Sequence, residues 1–329
     1  MQSNSIRVLS GDIGGTNTRF AVITVDGTRL NIERERDYAS RDYALFEDLL
    51  GDFLQGSDIP DRAAFGIAGP VKGRVVQTTN LPWRIDADVL RQRFGFAQCT
   101  LLNDLEATAY GLQALGAEDV LTLHTGAQHA SGNAAVIAAG TGLGEAGLFW
   151  DGQRHHPFAT EGGHTSFSPG DEMEVELLRY LQNRHGHVSW ERIVSGPGLV
   201  SLHEFLCLHR GAPIPDWLQH EIQQGDAAAA IANAALSERD ELCVEALDRF
   251  VRLYGAEAGN LALKVMSLGG LYLGGGIAPK ILPMLQNGAF LKAFFSKGRM
   301  RPLLEAMPVK VILKDRAALH GAALHVSNI

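Results

Sequence analysis

The sequence predicts an α/β protein made of two lobes that face a cleft. Its 329 residues correspond to about two domains, at roughly 150 residues per domain. The first part is rich in short strand-like runs, whereas the second half is richer in helix formers and closes with a strand and a helix. One plan of strand, Gly-Thr loop, strand and Asp-Gly turn occurs twice, roughly 125 residues apart. This repetition indicates two related lobes.

The two copies of this plan define the predicted β-hairpins. In the first copy, Val8–Leu9 lead into GDIGGTN, and the run Phe20–Val25 leads out of it to the turn Asp26-Gly27. In the second, Ala134–Ala139 lead into GTGLG, and GLFW leads out to Asp151-Gly152. Apolar, β-branched runs that close on Asp-Gly predict a hairpin, followed in the first copy by another strand.

The remaining elements follow from local composition. Further strands are predicted at Ala63–Ile67, Arg74–Thr78, Thr100–Leu102, LYLGGGI and VKVIL. Helices are predicted at LEATAYGLQAL after Asn103-Asp104, at Glu172–Arg184, Leu199–Leu208 and Glu241–Met266, and after VKVIL. We expect a small lobe of residues 1–114 plus 311–329 and a larger lobe of residues 115–310.

Composition and charge exclude several classes of protein. The 29 basic and 37 acidic residues give a net charge of −8, without the basic patch of a nucleic-acid or membrane-surface binder. No apolar run reaches the ~18 residues of a membrane span, and MQSNSIRVLSGD has no signal-peptide pattern. Cys99, Cys207 and Cys243 lie far apart in sequence, which disfavours a disulfide framework or a Cys-rich zinc site. We expect a cytoplasmic protein that acts on small molecules.

The segment Gly11–Asn17 is the first candidate binding loop. Its glycines let backbone N–H groups approach phosphate oxygens, and consecutive N–H groups form an anion-binding nest. Asp12 stands where a carboxylate could hold Mg²⁺, directly or through water. The alternative is a structural hairpin that needs positive φ. The chain contains no Gly-Lys-Ser/Thr, so this is not a Walker A loop.

The segment Gly142–Gly147 matches the dinucleotide-binding pattern GxGxxG. That fold requires a helix directly after the glycines. Here the chain continues as Leu148-Phe149-Trp150-Asp151-Gly152, which is typical of a strand that ends in a turn. The sequence therefore argues against a Rossmann fold.

Two further segments carry candidate polar groups. Asn103 and Asp104 stand between a strand and a helix, where an Asp is either an N-cap or a carboxylate that accepts a hydroxyl proton. Thr160–His164 is either a surface loop or a set of hydrogen-bonding partners for sugar hydroxyls. Four nearby histidines lack a metal spacing and are interpreted as mostly solvated: His155, His156, His185 and His187.

Taken together, these motifs resemble the bacterial glucokinase family of the actin/hexokinase/heat-shock-protein ATPase superfamily. The resemblance runs through nearly the whole chain, in the family's order: GDIGGTNTRFAV, FGIAGPV, TTNLPW, LLNDLEATAYGL, AAGTGLGEAGL, EGGHTSFSP, ERIVSGPGL and LYLGGGIAPKI. It implies a two-lobed actin-like ATPase (ribonuclease H-like) fold with a central cleft. It also implies ATP- and Mg²⁺-dependent phosphorylation of D-glucose at the 6-hydroxyl, by a homodimer.

The resemblance also assigns roles to residues of this sequence. Asp104 matches the catalytic base, and Asn103, Asp104, Glu161, His164 and Glu191 match the sugar-binding positions. Three glycine-rich segments match ATP-binding positions: Gly11, Asp12, Ile13, Gly14, Gly15, Thr16 and Asn17; Gly140, Thr141 and Gly142; and Gly274, Gly275 and Gly276. Asp12 would hold Mg²⁺ through water.

Two alternatives remain open from the sequence. A non-catalytic sugar sensor of the same fold would have a damaged phosphate loop, no base or an added DNA-binding motif, and the sequence shows none of these features. The second alternative is a kinase for another hexose, such as mannose or N-acetylmannosamine, because Glu161, His164 and Glu191 indicate glucose only through the family match. Related repressor-type sugar kinases carry a Cys-rich zinc motif that this sequence lacks, which favours the glucokinase branch. The orientation of Glu145, directly after GTGLG, is left undecided.

Overall fold

The computed structural model describes residues 5–78, 81–314 and 316–328. Thr79 and Asn80 of the TTNLPW motif and the first four residues lie outside this range. The described chain divides into two compact units. The first comprises the described residues within Met1–Asp119, His156–Ala159 and Lys314–Ile329, and the second comprises Val120–His155 and Thr160–Leu313.

Runs of strands and runs of helices are interspersed along the described residues. The strands are β1 (Ile6–Ile13), β2 (Asn17–Asp26), β3 (Arg29–Ala39), β4 (Arg62–Ile67), β5 (Val71–Lys72), β6 (Val75–Gln77), β7 (Arg84–Asp86), β8 (Gln98–Asn103), β9 (Val120–His124), β10 (Ala134–Ala139), β11 (Leu143–Trp150), β12 (His155–Ala159), β13 (Gly270–Gly274) and β14 (Val309–Ile312). The helices are α1 (Phe46–Leu54), α2 (Ala87–Phe94), α3 (Asp104–Gly111), α4 (Glu172–His185), α5 (Gly196–Arg210), α6 (Asp216–Gln224), α7 (Ala227–Leu236), α8 (Glu241–Val265), α9 (Leu282–Gln286), α10 (Ala289–Phe294), α11 (Arg301–Glu305) and α12 (Ala317–Ser327).

The first unit is built on a five-stranded sheet in the order β3-β2-β1-β4-β8. Strands β1, β2 and β3 pair antiparallel, whereas β1, β4 and β8 pair parallel. The predicted Asp-Gly turn joins β2 to β3, with Gly27 at a φ of +62° and Asp26 opposite Arg29. The predicted hairpin and its following strand are therefore confirmed.

Both faces of this sheet are buried, as expected for its parallel part. Adjacent residues Val8 and Leu9 of β1 point to opposite faces and are both inaccessible to solvent. Leu9 belongs to an aromatic-rich core with Phe20, and Val8 belongs to a second core that contains Leu319 of α12. The strands therefore lie between two apolar layers, which fixes their register.

The second sheet repeats the first and adds one strand. Its order is β12-β11-β10-β13-β14-β9, in which β10 pairs antiparallel with β11 and parallel with β13, and β13 pairs parallel with β14. Strands β10, β11, β12, β13 and β14 thus correspond to β1, β2, β3, β4 and β8. This correspondence confirms the two related copies that the sequence predicts.

The long helix α8 supports the second sheet. Asp240 caps its amino terminus by accepting from the Cys243 backbone N–H at 2.8 Å. The buried Tyr254 hydroxyl donates to the Ile137 carbonyl of β10 at 3.1 Å. The helix ends at Val265, one residue before the predicted end, because Met266 adopts a φ of +54°.

Two predicted helices have different bounds in the structure. The helix after Asn103 ends at Gly111 and continues as a 3₁₀ turn, Leu112–Ala114. A Cβ at Gly111 would lie 2.0 Å from the Ala317 carbonyl oxygen, so α12 packs directly on this end. Helix α5 begins at Gly196 rather than Leu199, because the Ser195 hydroxyl caps it and Pro197 suits a first turn.

Within the described residues, no helix is both long enough and apolar enough to cross a membrane.

Candidate active site

The carboxyl ends of three parallel strands bring Asp12 and Asp104 to one edge of the first sheet. Ile13 of β1 pairs with Ile67 of β4, which pairs with Asn103 of β8. Asp12 directly precedes the first of these three paired residues in sequence, and Asp104 directly follows the last of them. Because the two strands are separated by a third, the two backbones are about 10 Å apart. This edge is where parallel sheets commonly bind ligands.

The predicted phosphate loop begins where β1 ends. Gly11 lies within the strand, where a Cβ would meet Phe65 at 2.6 Å, and Ile13 is buried in the core. The turn itself is Gly14–Thr16, which closes through a hydrogen bond from the Gly14 N–H to the Asn17 carbonyl at 3.0 Å. Within the predicted ATP-binding segment, Thr16 and Asn17 are thus exposed, whereas Asp12, Gly14 and Gly15 are half-buried.

Two buried hydroxyl groups, those of Ser40 and Thr18, stabilise this turn through hydrogen bonds. The Ser40 hydroxyl donates to the Gly14 carbonyl at 2.9 Å, and the Ser40 N–H donates to the Thr16 carbonyl at 2.9 Å. Thr18 Oγ1 lies 2.9 Å from Ser40 Oγ. Ser40 and Thr18 were not among the sequence-predicted residues, because only the fold brings position 40 next to position 14.

A pocket of 270 Å³ beside this turn is lined by Asp12, Asn17, Arg19 and Asp37. Asp12, Arg19 and Asp37 are cross-strand neighbours on β1, β2 and β3. Arg19 Nε donates to Asp37 Oδ1 at 2.5 Å, and this hydrogen bond lowers the pKa of the Asp37 carboxyl. Carboxylate oxygens are the ligands that Mg²⁺ prefers, so Asp12 is the residue type that the metal implied by the family resemblance requires, whereas both oxygens of Asp37 accept from Arg19.

Asn103 takes the capping role that the sequence left open for Asp104. Asn103 Oδ1 accepts from the N–H groups of Leu105 at 3.0 Å and Glu106 at 3.3 Å, and Asn103 Nδ2 donates to the Gly69 carbonyl at 3.3 Å. Asp104 is the first residue of α3, and its Oδ1 accepts from the Leu105 N–H at 3.0 Å. The N-cap interpretation of Asp104 is therefore wrong.

In the second unit, two of the predicted ATP-binding segments lie side by side. Gly140–Gly142 connects β10 to β11, and Gly274–Gly276 begins at the last residue of β13, the parallel neighbour of β10. Gly275 has a φ of +78°, and a Cβ there would lie 2.4 Å from the Ala139 carbonyl oxygen. Most of the GxGxxG match lies within a strand, β11, and no helix opens after its glycines, which confirms the prediction that the match does not belong to a Rossmann fold.

The three predicted sugar-binding residues of the second unit also meet. His164 lies between two carboxylates, with Nε2 at 3.9 Å from Glu161 Oε2 and Nδ1 at 3.8 Å from Glu191 Oε1. Glu161 and His164 are exposed, and Glu191 is half-buried. Residues far apart in sequence thus form one polar surface, which we call the Glu-His-Glu cluster.

Glu191 connects this cluster to the second glycine loop. Glu191 Oε2 accepts from the Leu143 N–H at 3.0 Å, and a Cβ at Gly142 would lie 2.4 Å from the same oxygen. The Ser195 hydroxyl donates to the Glu191 carbonyl at 2.6 Å, and the Gly196 N–H donates to the Gly140 carbonyl at 2.8 Å. The start of α5 therefore positions both features.

Glu145, whose orientation the sequence left undecided, lies in the protein interior. Only 1% of Glu145 is exposed, and burial together with the nearby Glu257 raises the pKa of its carboxyl. Glu257 is wholly buried and accepts from Asn260 Nδ2 at 2.7 Å. A Cβ at Gly162 would collide with Glu145 Oε2, so the carboxyl lies under the Thr160–His164 loop.

The histidines interpreted as solvated differ from one another. His185 and His187 are exposed, as predicted. His155 is half-buried, its Nε2 lies 2.9 Å from the Gly132 carbonyl oxygen, and its ring packs against Trp150 at 4.8 Å. His155 therefore has a structural role.

Comparison with known proteins places these features in a family. A family model described as Glucokinase matches residues 9–329. Glucokinase of Nostoc punctiforme is 42% identical over 338 residues, which cover 98% of this chain and 99% of the relative.

Solved structures show the same likeness. The crystal structure of glucokinase from an Antarctic psychrotroph has a TM-score of 0.84 at 33% identity, covering 98% of this chain and 99% of the other. A ROK family glucokinase from Streptomyces griseus, in complex with glucose and AMPPNP, has a TM-score of 0.67 at 23% identity, covering 98% and 100%. These matches confirm the predicted two-lobed, actin-like ATPase fold. The family match and the long, well-covered alignments lead to one conclusion: this chain belongs to the glucokinase family.

Proposed function

We propose that this chain transfers the γ-phosphoryl group of ATP to the 6-hydroxyl of D-glucose, with Asp104 as the general base. Family membership supports the reaction, and the S. griseus structure with glucose and AMPPNP supports this pair of substrates. The observation that supports the assignment of the base is the position of Asp104, which directly follows β8 at the same carboxyl edge of the first sheet as Asp12.

Asp104 has the position that a base for a sugar hydroxyl requires. As the first residue of α3 it lies at the positive end of the helix dipole, which stabilises a carboxylate. It accepts the 6-hydroxyl proton while the sugar oxygen attacks the γ-phosphorus, and the bond from phosphorus to the β,γ-bridging oxygen breaks. ADP carries away the electron pair of that bond.

The glycine segments hold the nucleotide in this proposal. Backbone N–H groups of the Gly14–Asn17 and Gly140–Gly142 loops bind phosphate oxygens, apart from those of Gly14 and Gly140, which donate within their own turns. Gly274–Gly276 lies against the adenosine. Ser40 keeps the first of these loops in shape through its bonds to Gly14 and Thr16. Asp12 would hold Mg²⁺ through water, and the metal would offset negative charge on the phosphates.

Five side chains select the sugar in this proposal, because they match the sugar-binding positions of the family: Asn103, Asp104, Glu161, His164 and Glu191. A site that hydrogen-bonds each hydroxyl rejects an epimer that leaves a buried polar group unpaired. The fixed position of Glu191 against the Leu143 N–H supports this role.

The experiment is an ADP-release assay with Mg-ATP and a panel of glucose, mannose, N-acetylmannosamine, galactose and fructose. We expect glucose to have the highest kcat/KM and the product to be glucose 6-phosphate. A higher kcat/KM for mannose or N-acetylmannosamine would reassign the substrate. ATP hydrolysis that no sugar stimulates would contradict the kinase proposal.

The proposal also includes a homodimer in the cytoplasm, which follows from the family resemblance. Sedimentation equilibrium tests the assembly: a mass near 71 kDa, twice the 35.5 kDa of one chain, is expected, and a mass of one chain at micromolar concentration would contradict it.

A further inference from the structure

Away from the residues assigned above, four side chains that can bind a metal meet between α5 and α8. His203 and Cys207 belong to α5, and Asp240 and Cys243 belong to the amino terminus of α8. One ligand atom from each of His203, Asp240 and Cys243 lies within 4.8 Å of the other two. Cys207 Sγ lies 3.7 Å from His203 Nε2, which adds a fourth possible ligand.

The spacing of these residues on their helices explains why they converge. His203 and Cys207 are four residues apart, so their side chains share one face of α5. Asp240 is the N-cap of α8 and Cys243 is the third residue of that helix, and side chains at these two positions lie next to each other. Helices α5 and α8 pack together in the core of the second unit. The four residues therefore belong to rigid elements.

The distances are close to those of a tetrahedral metal site. Zinc–sulfur bonds of about 2.3 Å and zinc–nitrogen bonds of about 2.0 Å place tetrahedral ligand atoms roughly 3.3–3.8 Å apart. The 3.7 Å separation of Cys207 and His203 falls in this range. The ligand atoms of His203, Asp240 and Cys243 are no more than 4.8 Å apart, so these three need to contract by at most about 1 Å, which side-chain rotation can supply. Cys207 lies outside this group of three and would reach the ion from its position beside His203 through rotation of its own side chain.

The surroundings favour a soft or borderline metal ion. His203 is 1% exposed, and its imidazole is a common metal ligand in the neutral form. Cys243 is wholly buried, whereas Asp240 is half-buried and offers a route from solvent. Two thiols, one imidazole and one carboxylate form a donor set typical of Zn²⁺ rather than Mg²⁺.

We propose that His203, Cys207, Asp240 and Cys243 form a structural Zn²⁺ site. Binding replaces the two thiol S–H bonds with two Zn–S bonds and releases two protons to solvent, without any redox change. The metal would join α5 to α8. Because α5 begins at the residues that contact Glu191 and Gly140, the site would stabilise the helix that positions the second glycine loop.

Cobalt substitution tests the site directly. The reduced, chelator-treated protein is titrated with Co²⁺, which gives a thiolate-to-cobalt charge-transfer band only when cysteine sulfur binds the ion. We expect one equivalent per chain, and we expect Zn²⁺ to displace Co²⁺ and remove the band. No thiolate band at one equivalent, with the circular dichroism of the folded protein retained, would overturn the proposal.

Variants locate the site. Cys207→Ser and Cys243→Ser should each lose about half of the band, and the double variant should lose all of it. Cys99→Ser is the matched control, because Cys99 is also a buried free thiol but belongs to β8 of the first unit. An unchanged band in both Cys207→Ser and Cys243→Ser would contradict the assignment.

A fourth variant is designed to keep the fold. Asp240→Asn retains an N-cap for α8, because asparagine caps as well as aspartate, but it removes the carboxylate ligand. We expect its Zn²⁺ affinity to fall at least 10-fold, in line with the roughly 10- to 100-fold losses seen even for outer-shell changes. Zinc should raise the Tm of the wild type and of Cys99→Ser more than that of Asp240→Asn. Equal zinc affinity in Asp240→Asn and the wild type would exclude Asp240 as a ligand.

Discussion

At the scale of single residues, Glu145 shows what burial does to a charged group. Glu145 Oε1 is buried without a hydrogen-bond partner, and the neighbouring carboxyl Glu257 is paired with Asn260 and Lys264. Two buried carboxyls this close cannot both ionise cheaply, so Glu145 holds the proton. Glu145, which directly follows the GTGLG motif in the sequence, is therefore a structural residue that supports the Thr160–His164 loop.

This raised pKa predicts how stability depends on pH. Above its ordinary value of 4.5, the Glu145 carboxyl ionises in the unfolded chain but stays protonated in the native one, so stability falls as pH rises. Glu145→Gln mimics the protonated form and should be more stable than wild type at pH 8, by roughly 1–3 kcal/mol, with a smaller difference at pH 5. Urea denaturation at both pH values measures this.

The control for that comparison is Glu238→Gln, which changes an exposed glutamate of the same unit. Glu238→Gln should show the same difference in the free energy of unfolding between pH 5 and pH 8 as the wild type. Parallel stability profiles for Glu145→Gln and wild type would mean that Glu145 is ionised in the folded protein.

The sequence identified individual site residues where a local motif contains them. The sequence named Asn103 and Asp104, but it could not say which one caps α3, because both residue types cap well. It grouped Glu161 with His164 by their spacing, and only the family resemblance added Glu191. Ser40 gave no signal, since its bonds to Gly14 and Thr16 arise from the pairing of β2 with β3.

At the scale of elements, the end of β13 shows how a loop depends on glycine. Gly275 combines a φ of +78° with a carbonyl oxygen 2.4 Å from the place of a Cβ, whereas Gly276 has nothing within 4 Å. Gly275→Ala should therefore lower the free energy of unfolding by about 1–3 kcal/mol and weaken ATP binding. Gly276→Ala should leave stability within about 0.5 kcal/mol of wild type.

Thermal and urea denaturation give the stability of the two variants, and calorimetry gives their ATP affinity. Equal stability of Gly275→Ala and Gly276→Ala would mean that the loop relaxes around a side chain. The strained backbone at Gly275 would then have no part in positioning the adenosine segment.

Elements with strong local signals were predictable, and short ones were not. Asp-Gly turns between apolar runs identified the hairpins, and the long apolar stripe identified α8. The five-residue helices α9 and α11 carry too few residues for a periodic pattern, and packing forms them. Packing also decided where α3 ends, because Gly111 lies against α12, two hundred residues later in the chain.

At the scale of the whole molecule, the repeated sheet is the clearest result of sequence analysis. The two glycine loops that the sequence predicted as phosphate-binding follow equivalent strands, β1 and β10. The division into units follows from long-range contacts, and it assigns His156–Ala159 to the first unit, which no local pattern indicates.

The proposed glucose ligand Glu191 accepts from the Leu143 N–H beside the second glycine loop, and this predicts linkage between the substrates. Glucose that holds Glu191 in place also holds this loop in place, so glucose should strengthen nucleotide binding, and ATP should strengthen glucose binding by the same factor. Glu161→Gln replaces a charged acceptor with an amide and should weaken both glucose binding and this linkage.

Calorimetry of a non-hydrolysable ATP analogue, with and without saturating glucose, measures the linkage in wild type and Glu161→Gln. Glu172→Gln is the control, because Glu172 is an exposed glutamate of the second unit outside the cluster. An equal affinity of the ATP analogue in every titration would show that glucose and the nucleotide bind independently.

The role of Asp104 is the central claim, and steady-state kinetics of Asp104→Ala tests it most directly. The matched control is Glu106→Gln, which alters the next carboxyl of α3, a half-buried group whose pKa is raised by burial. We expect Asp104→Ala to retain glucose and ATP binding in calorimetry while kcat falls about 10²- to 10⁴-fold, and Glu106→Gln to stay near wild type. A kcat for Asp104→Ala close to that of the wild type would contradict the account and reduce Asp104 to a structural residue of the first turn of α3.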